Sequence, residues 1–404
     1  MSCLPATTAN GATVLPAGRL SCTAAFYLLA SITVSFLAGS SAPTPLYPIY
    51  QAQWGFSPIT VTVVFGIYAL AVLSALLVVG RLSDHVGRKP VLIIATVAQV
   101  ATMLVFATAD GVVRLLIARV MQGLSTGAAV AAVGAGLLDL DKARGTIANA
   151  IAPLVGTASG SIAAGIMVQY LPAPTQAVYL VLGAIFVAQG VGILFMGELT
   201  APRSGALASL KPQFSLPAAV RGPLLVAVPA LVATWALAGF YASLGPSLLR
   251  NLFGLDSTVL GGLVLFVLAG SGAVSVWLMQ HHAARAMMRG GTLALMVGVA
   301  IALAALSYPS AAMFFVGTLL SGLGFGAAFQ GAVRTVVPVA APSERAGVLS
   351  VMFVISYLAL GLPAVVAGYL LAQQGSIATA QEFGAVVIVL AALALLGTLT
   401  RGSE

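Results

Sequence analysis

Charge is what this chain has least of. Only 6% of its 404 residues are Asp, Glu, Lys or Arg, while 60% are hydrophobic and the mean hydropathy is +1.09. A water-soluble domain is about a quarter charged, so a fold solvated by water on all sides is excluded. Three histidines and nine acids do not supply the grouped nucleophile, base or metal ligands that a catalytic site needs. An enzyme is therefore not expected, nor a cofactor or metal. Cys3 and Cys22 are the only cysteines, too few for a disulfide framework or a metal site. The net charge of +8 is spread singly over connecting segments, which argues for lipid contact and orientation rather than nucleic acid. Large polar loops, which a receptor or scaffold would need, are missing. Residues 1–18 are rich in Ala, Thr, Gly and Pro without a basic start or a cleavable apolar core, and are expected to be a disordered tail rather than a signal peptide.

What is there is apolar sequence in long runs. A span needs about 20 apolar residues, and turn residues or charge divide the chain into spans at 22–43, 59–79, 91–109, 112–137, 147–170 and 176–196. A second set lies at 223–248, 258–280, 291–308, 311–337, 347–372 and 382–399. The runs are continuous rather than alternating, which excludes a strand barrel. Between the sets, Gly197–Gly222 is the longest polar stretch and reads as a linker. The expected organisation is a cytoplasmic tail (1–21), a first six-helix bundle (22–196), the linker (197–222) and a second bundle (223–400). The halves echo each other: Gly-Leu-Ser-Thr-Gly-Ala-Ala begins at Gly123 in the fourth span and Gly-Leu-Gly-Phe-Gly-Ala-Ala at Gly322 in the tenth. All but three of the 17 Lys and Arg residues fall on one side if the N-terminus is cytoplasmic; the exceptions are Arg114, Arg119 and Arg250. That bias places both termini in the cytoplasm.

The stretch Gly-Arg-Leu-Ser-Asp-His-Val-Gly-Arg-Lys-Pro, Gly80 to Pro90, is the densest cluster of charge. Gly80 and Gly87 suit a tight reversal between spans, and Pro90 suits the first turn of a helix. Gly80, Leu82, Asp84, Gly87, Arg88 and Lys89 closely resemble the loop 2–3 signature of the major facilitator superfamily. Arg119-Val-Met-Gln122-Gly123, followed by Gly127-Ala-Ala, resembles that family's fourth-helix signature. Membership implies an all-α membrane protein of twelve transmembrane helices in two pseudo-symmetric six-helix bundles, working by alternating access. It also implies that Asp84 docks on the start of the eleventh helix, that Arg88 meets Asp139 or Asp141, and that Arg119 faces a central cavity.

Arg119 stands about two turns inside a span, a costly place unless it faces protein or water. No Asp or Glu lies in the middle of any span, so its charge must be met by an anionic substrate, by Asp110 through a wet cavity, or by a shifted helix edge. Gly156, Gly160 and Gly165 partly match the fifth-helix motif of exporters in the same family, with Ser161 where that motif has proline. Ordinary helix packing would use the same small residues. Tyr27, Ser31, Trp235, Tyr241, Gln330 and Tyr357 are candidate contacts for substrate, and Pro43 to Tyr50 reads as a rigid outer connection. His281 and His282 read as interfacial charge. The expected function is secondary transport by a monomer in a bacterial inner membrane, exporting a small amphipathic molecule such as a drug or metabolite, with protons as coupling ion. The alternative is uptake of a small anionic metabolite bound by Arg119.

Overall fold

A computed structural model describes residues 18–400. Among them are twelve helices long and apolar enough to cross a membrane. The first half holds α1 (Cys22–Ser41), α2 (Pro58–Val78), α3 (Arg88–Ala107), α4 (Val112–Leu140), α5 (Lys142–Tyr170) and α6 (Pro174–Phe195). The second holds α7 (Ala218–Phe253), α8 (Thr258–Leu278), α9 (Ala284–Ser307), α10 (Ala311–Val336), α11 (Arg345–Gln374) and α12 (Ser376–Thr400). Several helices outrun their apolar runs. α5 starts at Lys142, for example, because Asp141 caps it by accepting from the Arg144 N–H at 3.0 Å. Tail residues 1–17 and residues 401–404, Cys3 and Arg401 included, lie outside the described residues.

Buried apolar side chains separate along the sequence. One cluster runs from Ala25 to Met196, and two more draw on residues beyond Val220, with Phe65 of α2 the one crossing member. The internal echo is structural too. A Cβ on Gly123 or Gly127 would stand 2.5–2.6 Å from Ala71 or Ala75 of α2, so only glycine allows α4 this close. In the second half Gly322 and Gly326 of α10 press in the same way on Leu268, Ser271, Gly272 and Ser275 of α8. In each half, then, the fourth helix sets its glycine pair against the second.

An even number of spans places the described chain ends, the Gly80–Pro90 loop and the linker at one end of the molecule, here called the loop end. The two halves meet at the other, far end. Ser161 of α5 donates to the Gly262 carbonyl of α8 at 3.0 Å. Thr258 donates to the Gly165 carbonyl at 3.0 Å and to Gln169 Oε1 at 3.1 Å. On the other side of the molecule Gly66 of α2 lies against Gly361 and Val365 of α11, and Gly368 against Thr62. Among the described residues, the hydrogen bonds joining the halves are these three at the far end.

A seam of small residues is sensitive to added volume. Overpacking costs about 1–3 kcal/mol, here charged against the state in which the far end is closed. Gly262→Val should therefore shift the balance about tenfold or more toward a far-end-open state. Ala158→Cys, buried beside Gly270 on the α5–α8 seam, should then react faster with maleimide by a similar factor. Equal labelling with and without Gly262→Val would show that the seam does not move.

Candidate functional site

At the loop end, a short helix Ser83–Val86 and Gly87 turn α2 into α3. Gly87 adopts φ +97°, and a Cβ there would stand 2.5 Å from Glu198 Oε2, so glycine is required twice over. Gly80 differs from expectation: its φ is not positive, and it is needed because the Leu76 carbonyl leaves no room for a Cβ. Arg88 is nearly buried and reaches three partners. It pairs with Asp84, donates to Ser83 Oγ at 2.7 Å and bonds Asp139 Oδ2 at 3.1 Å. The partner on α4 is thus Asp139; Asp141 is spent capping α5. Lys89 donates to the carbonyls of Leu194 and Met196 at 2.7 and 2.9 Å, tying α3 to the end of α6.

Glu198 closes this arrangement. Its carboxylate accepts from the backbone N–H of Arg88 at 2.7 Å and of Lys89 at 3.2 Å, capping the positive end of α3. Sequence reading placed Glu198 only in the linker, because nothing in its local pattern marks a cap supplied from 110 residues away. Asp84 also departs from expectation. Its charge is met by Arg88, and among the described residues no hydrogen bond joins it to the start of α11. Ser215 of the linker packs there instead, against Gly347.

Arg119 is fully buried. Nη1 donates to the Ser40 carbonyl at 3.0 Å and to Gln122 Oε1 at 2.6 Å, and Nη2 donates to the Tyr47 hydroxyl. The rings of Tyr68, Tyr47 and Phe106 surround the guanidinium at 5.3, 5.6 and 5.8 Å. Gln122 in turn donates to the Gly39 carbonyl at 2.9 Å, and Tyr68 to Ser40 Oγ at 2.7 Å. Carbonyl, amide, phenol and π faces thus replace the carboxylate that a buried arginine ordinarily needs. Among the described residues no acid pairs with it. Asp110, one of the three candidates for meeting that charge, pairs with Arg114 at 2.9 Å on the exposed far end.

Pro43 to Tyr50 is no outer connection. A 3₁₀ turn (Thr44–Leu46) and a short helix (Tyr47–Trp54) carry Tyr47 and Tyr50 into the first half, both about 1% exposed. Tyr50 shares a hydrogen bond with Tyr179 at 3.0 Å, and Tyr179 stacks on Phe106. The backbone stays helical at Pro43 (φ −69°, ψ −16°), so the first span runs on to Trp54, and the Tyr47 hydroxyl accepts from Arg119.

The remaining candidates scatter. Tyr27 is 57% exposed, with Arg144 donating to its hydroxyl at 3.0 Å. Ser31 accepts from Gln189 at 3.2 Å and helps join α1 to α6. Tyr241 is buried inside the second half, bonded to Thr318 at 3.3 Å and stacked on Phe314. Trp235 and Tyr357 do come together, with ring centres 5.0 Å apart, and Gln330 is half-buried one residue beyond Phe329, which also touches Trp235. On α5, Gly156 and Gly160 press on Val34 and Ala38 of α1, whereas Gly165 faces Thr258 across the seam.

If Glu198 caps α3, Glu198→Ala should cost about 0.5–2 kcal/mol and lower the thermal unfolding midpoint in detergent. Glu198→Gln, whose amide oxygen still accepts, should lose less. Equal midpoints for the wild type and Glu198→Ala would rule the cap out.

The Major Facilitator Superfamily pattern matches residues 29–279. The chain is 30% identical over 301 residues to the cephamycin export protein CmcT of Amycolatopsis lactamdurans, covering 64% of this chain and 60% of that protein. It is 27% identical over 183 residues to the multidrug resistance protein MdtL of Klebsiella pneumoniae (strain 342), covering 44% and 46%. The chain thus spans between about half and three fifths of the length of the curated relatives it matches. A bacterial homologue of the human lysosomal transporter Spinster, solved in an inward-facing and unoccupied conformation, is similar in fold with a TM-score of 0.75. It shares 13% identity over 94% of this chain and 97% of its own. Twelve spans, the glycine-paired halves, the loop-end ion cluster and a family pattern covering more than half of the sequence agree: the chain belongs to the Major Facilitator Superfamily of membrane transporters.

Proposed function

We propose that this transporter exports a small amphipathic molecule, drug or metabolite, from the cytoplasm of a bacterial cell, acting as a monomer in the plasma membrane. The basic bias of the loop end assigns that end to the cytoplasm, with both termini there. With the far end closed by the α5–α8 and α2–α11 seams, the conformation described is then the one that loads from inside. The export direction is supported by the names of the relatives, an export protein and a multidrug resistance protein. The single observation that carries the reading is the placement of Gly165 of the exporter-like α5 motif on the far-end seam, bonded to Thr258 of the opposite half.

Proton antiport is the proposed coupling. No Asp or Glu is held mid-span among the described residues, so the proton would be carried by the substrate or by a carboxylate at a helix end. Arg119 then acts as an internal tether of α1, α2, α4 and the Tyr47 helix, its donors turned to its own half. Uptake of an anionic metabolite is the second reading, favoured by the unpaired Arg119 charge; it requires Tyr47 and Gln122 to release the guanidinium.

Everted membrane vesicles decide the direction. Energised vesicles should accumulate an amphipathic dye such as ethidium, and an uncoupler should abolish accumulation. Failure to accumulate dye, together with uptake of an anion into right-side-out cells, would favour the second reading.

Arg119→Ala should remain inserted yet transport at least tenfold more slowly, a loss of about 1.4 kcal/mol or more in barrier terms. Arg119→Lys, which cannot reach three partners in a planar fork, should recover little. Transport at the wild-type rate in Arg119→Ala would remove the arginine from the mechanism.

A further inference from the structure

In the second half, aromatic rings from two neighbouring helices converge on Trp235 of α7. Phe329 of α10 meets it edge-on at 5.4 Å, and Tyr357 of α11 lies tilted at 5.0 Å, with Phe353 next to Tyr357 at 6.4 Å. All four residues are half-buried rather than sealed in the core. The cluster lies beside the α2–α11 seam, because Tyr357 is one turn before Gly361, which packs on Gly66 and Ala69 of α2. Trp235 Nε1 is buried yet has no hydrogen-bond partner among the described residues. A buried indole N–H normally finds an acceptor, and leaving one unmade is costly away from water. None of the four side chains carries a charge, so nothing here selects an ion.

We propose that Trp235, Phe329, Phe353 and Tyr357 form a substrate subsite for a neutral planar aromatic group, with the Trp235 indole N–H donating to an acceptor on that group. This rests on the export reading and narrows it: the apolar part of the amphipathic substrate is aromatic and bears a carbonyl or ring-nitrogen acceptor. Stacking supplies sequestration of the ring, and the single donor supplies orientation. By contrast Tyr241, equally aromatic, already has Thr318 and Phe314 as partners and is closed to substrate.

Acridone, a neutral planar ring with a carbonyl, and 9,10-dihydroacridine, which lacks that carbonyl, are the probes. Binding to protein in lipid nanodiscs is followed by probe fluorescence anisotropy, with protein-free nanodiscs as blank. Acridone should bind saturably, and Trp235→Phe, which keeps a ring for packing, should weaken it at least tenfold. Dihydroacridine should change less than twofold. With Trp54→Phe and Trp277→Phe, Trp235 is the sole tryptophan, and its quenching by acridone should saturate at the same concentration. Equal weakening of both probes, no weakening of either, or quenching that never saturates would overturn the subsite. Because binding is read at equilibrium, it is separable from direction: specific binding without accumulation in everted vesicles would retain the subsite and remove the export reading.

Discussion

Hydrocarbon offers a polar group no partner, and the placing of every charge in this chain follows from that constraint. Among the described residues only Arg88 and Arg114 form ion pairs with acids. Arg88 sits at the loop end, where backbone, carboxylates and the linker can all reach it. Arg114 stays in contact with water at the far end. Arg119 alone is carried deep, where the Ser40 carbonyl of α1 and the Tyr47 phenol beyond it accept from its guanidinium. The Tyr47 helix, the close approach of Gln122 to Gly39 and the ring cage all exist around that one guanidinium.

The same constraint shapes the boundary between halves. Contacts that must form and break cannot leave polar groups stranded in lipid, so the far-end seam is mostly glycine and small apolar side chains, with the hydroxyls of Ser161, Thr258 and Thr62 and the Gln169 amide as its polar groups. Ser161 and Thr258 donate to backbone carbonyls that already accept within their own helices. Ser161, inside α5, can fall back on a carbonyl of its own turn when its bond breaks. The rigid contacts lie within halves: Gly123 and Gly127 against α2, Gly322 and Gly326 against α8, and the Arg88–Asp139 pair. The halves also pack closely on each other, but among the described residues no ion pair joins them, and two bodies that rock need that freedom.

Much of this was legible in the sequence. Apolar runs located all twelve spans, the Gly123 and Gly322 repeats located equivalent packing faces, and the loop signature pointed from Arg88 to Asp139 or Asp141, of which the structure selects Asp139. What escaped depended on long-range placement. Glu198 looks like any linker acid until the end of α6 brings it to α3. Ser161, a departure from the exporter motif, gave no hint that its hydroxyl would bond the opposite half. Asp110 is near Arg119 in sequence, but it lies before the start of α4 while Arg119 is about two turns inside, and Arg114 is only four residues away. Tyr241 and Trp235 are alike in composition and spacing; only the Thr318 hydroxyl on α10 distinguishes a satisfied core ring from an unsatisfied one.

Distances across both ends, measured by pulsed electron paramagnetic resonance on spin-label pairs, test the two-body picture most directly. Gln176→Cys with Asp256→Cys reports on the far end and Lys142→Cys with Ser343→Cys on the loop end, in a chain with Cys3 and Cys22 replaced by serine. All four label sites are exposed on the surface of the helix ends or connections. Rocking predicts that conditions lengthening the far-end distance shorten the loop-end distance, while pairs within either half stay fixed. Both ends holding one distance under a proton gradient with substrate present, or both lengthening together, would contradict it.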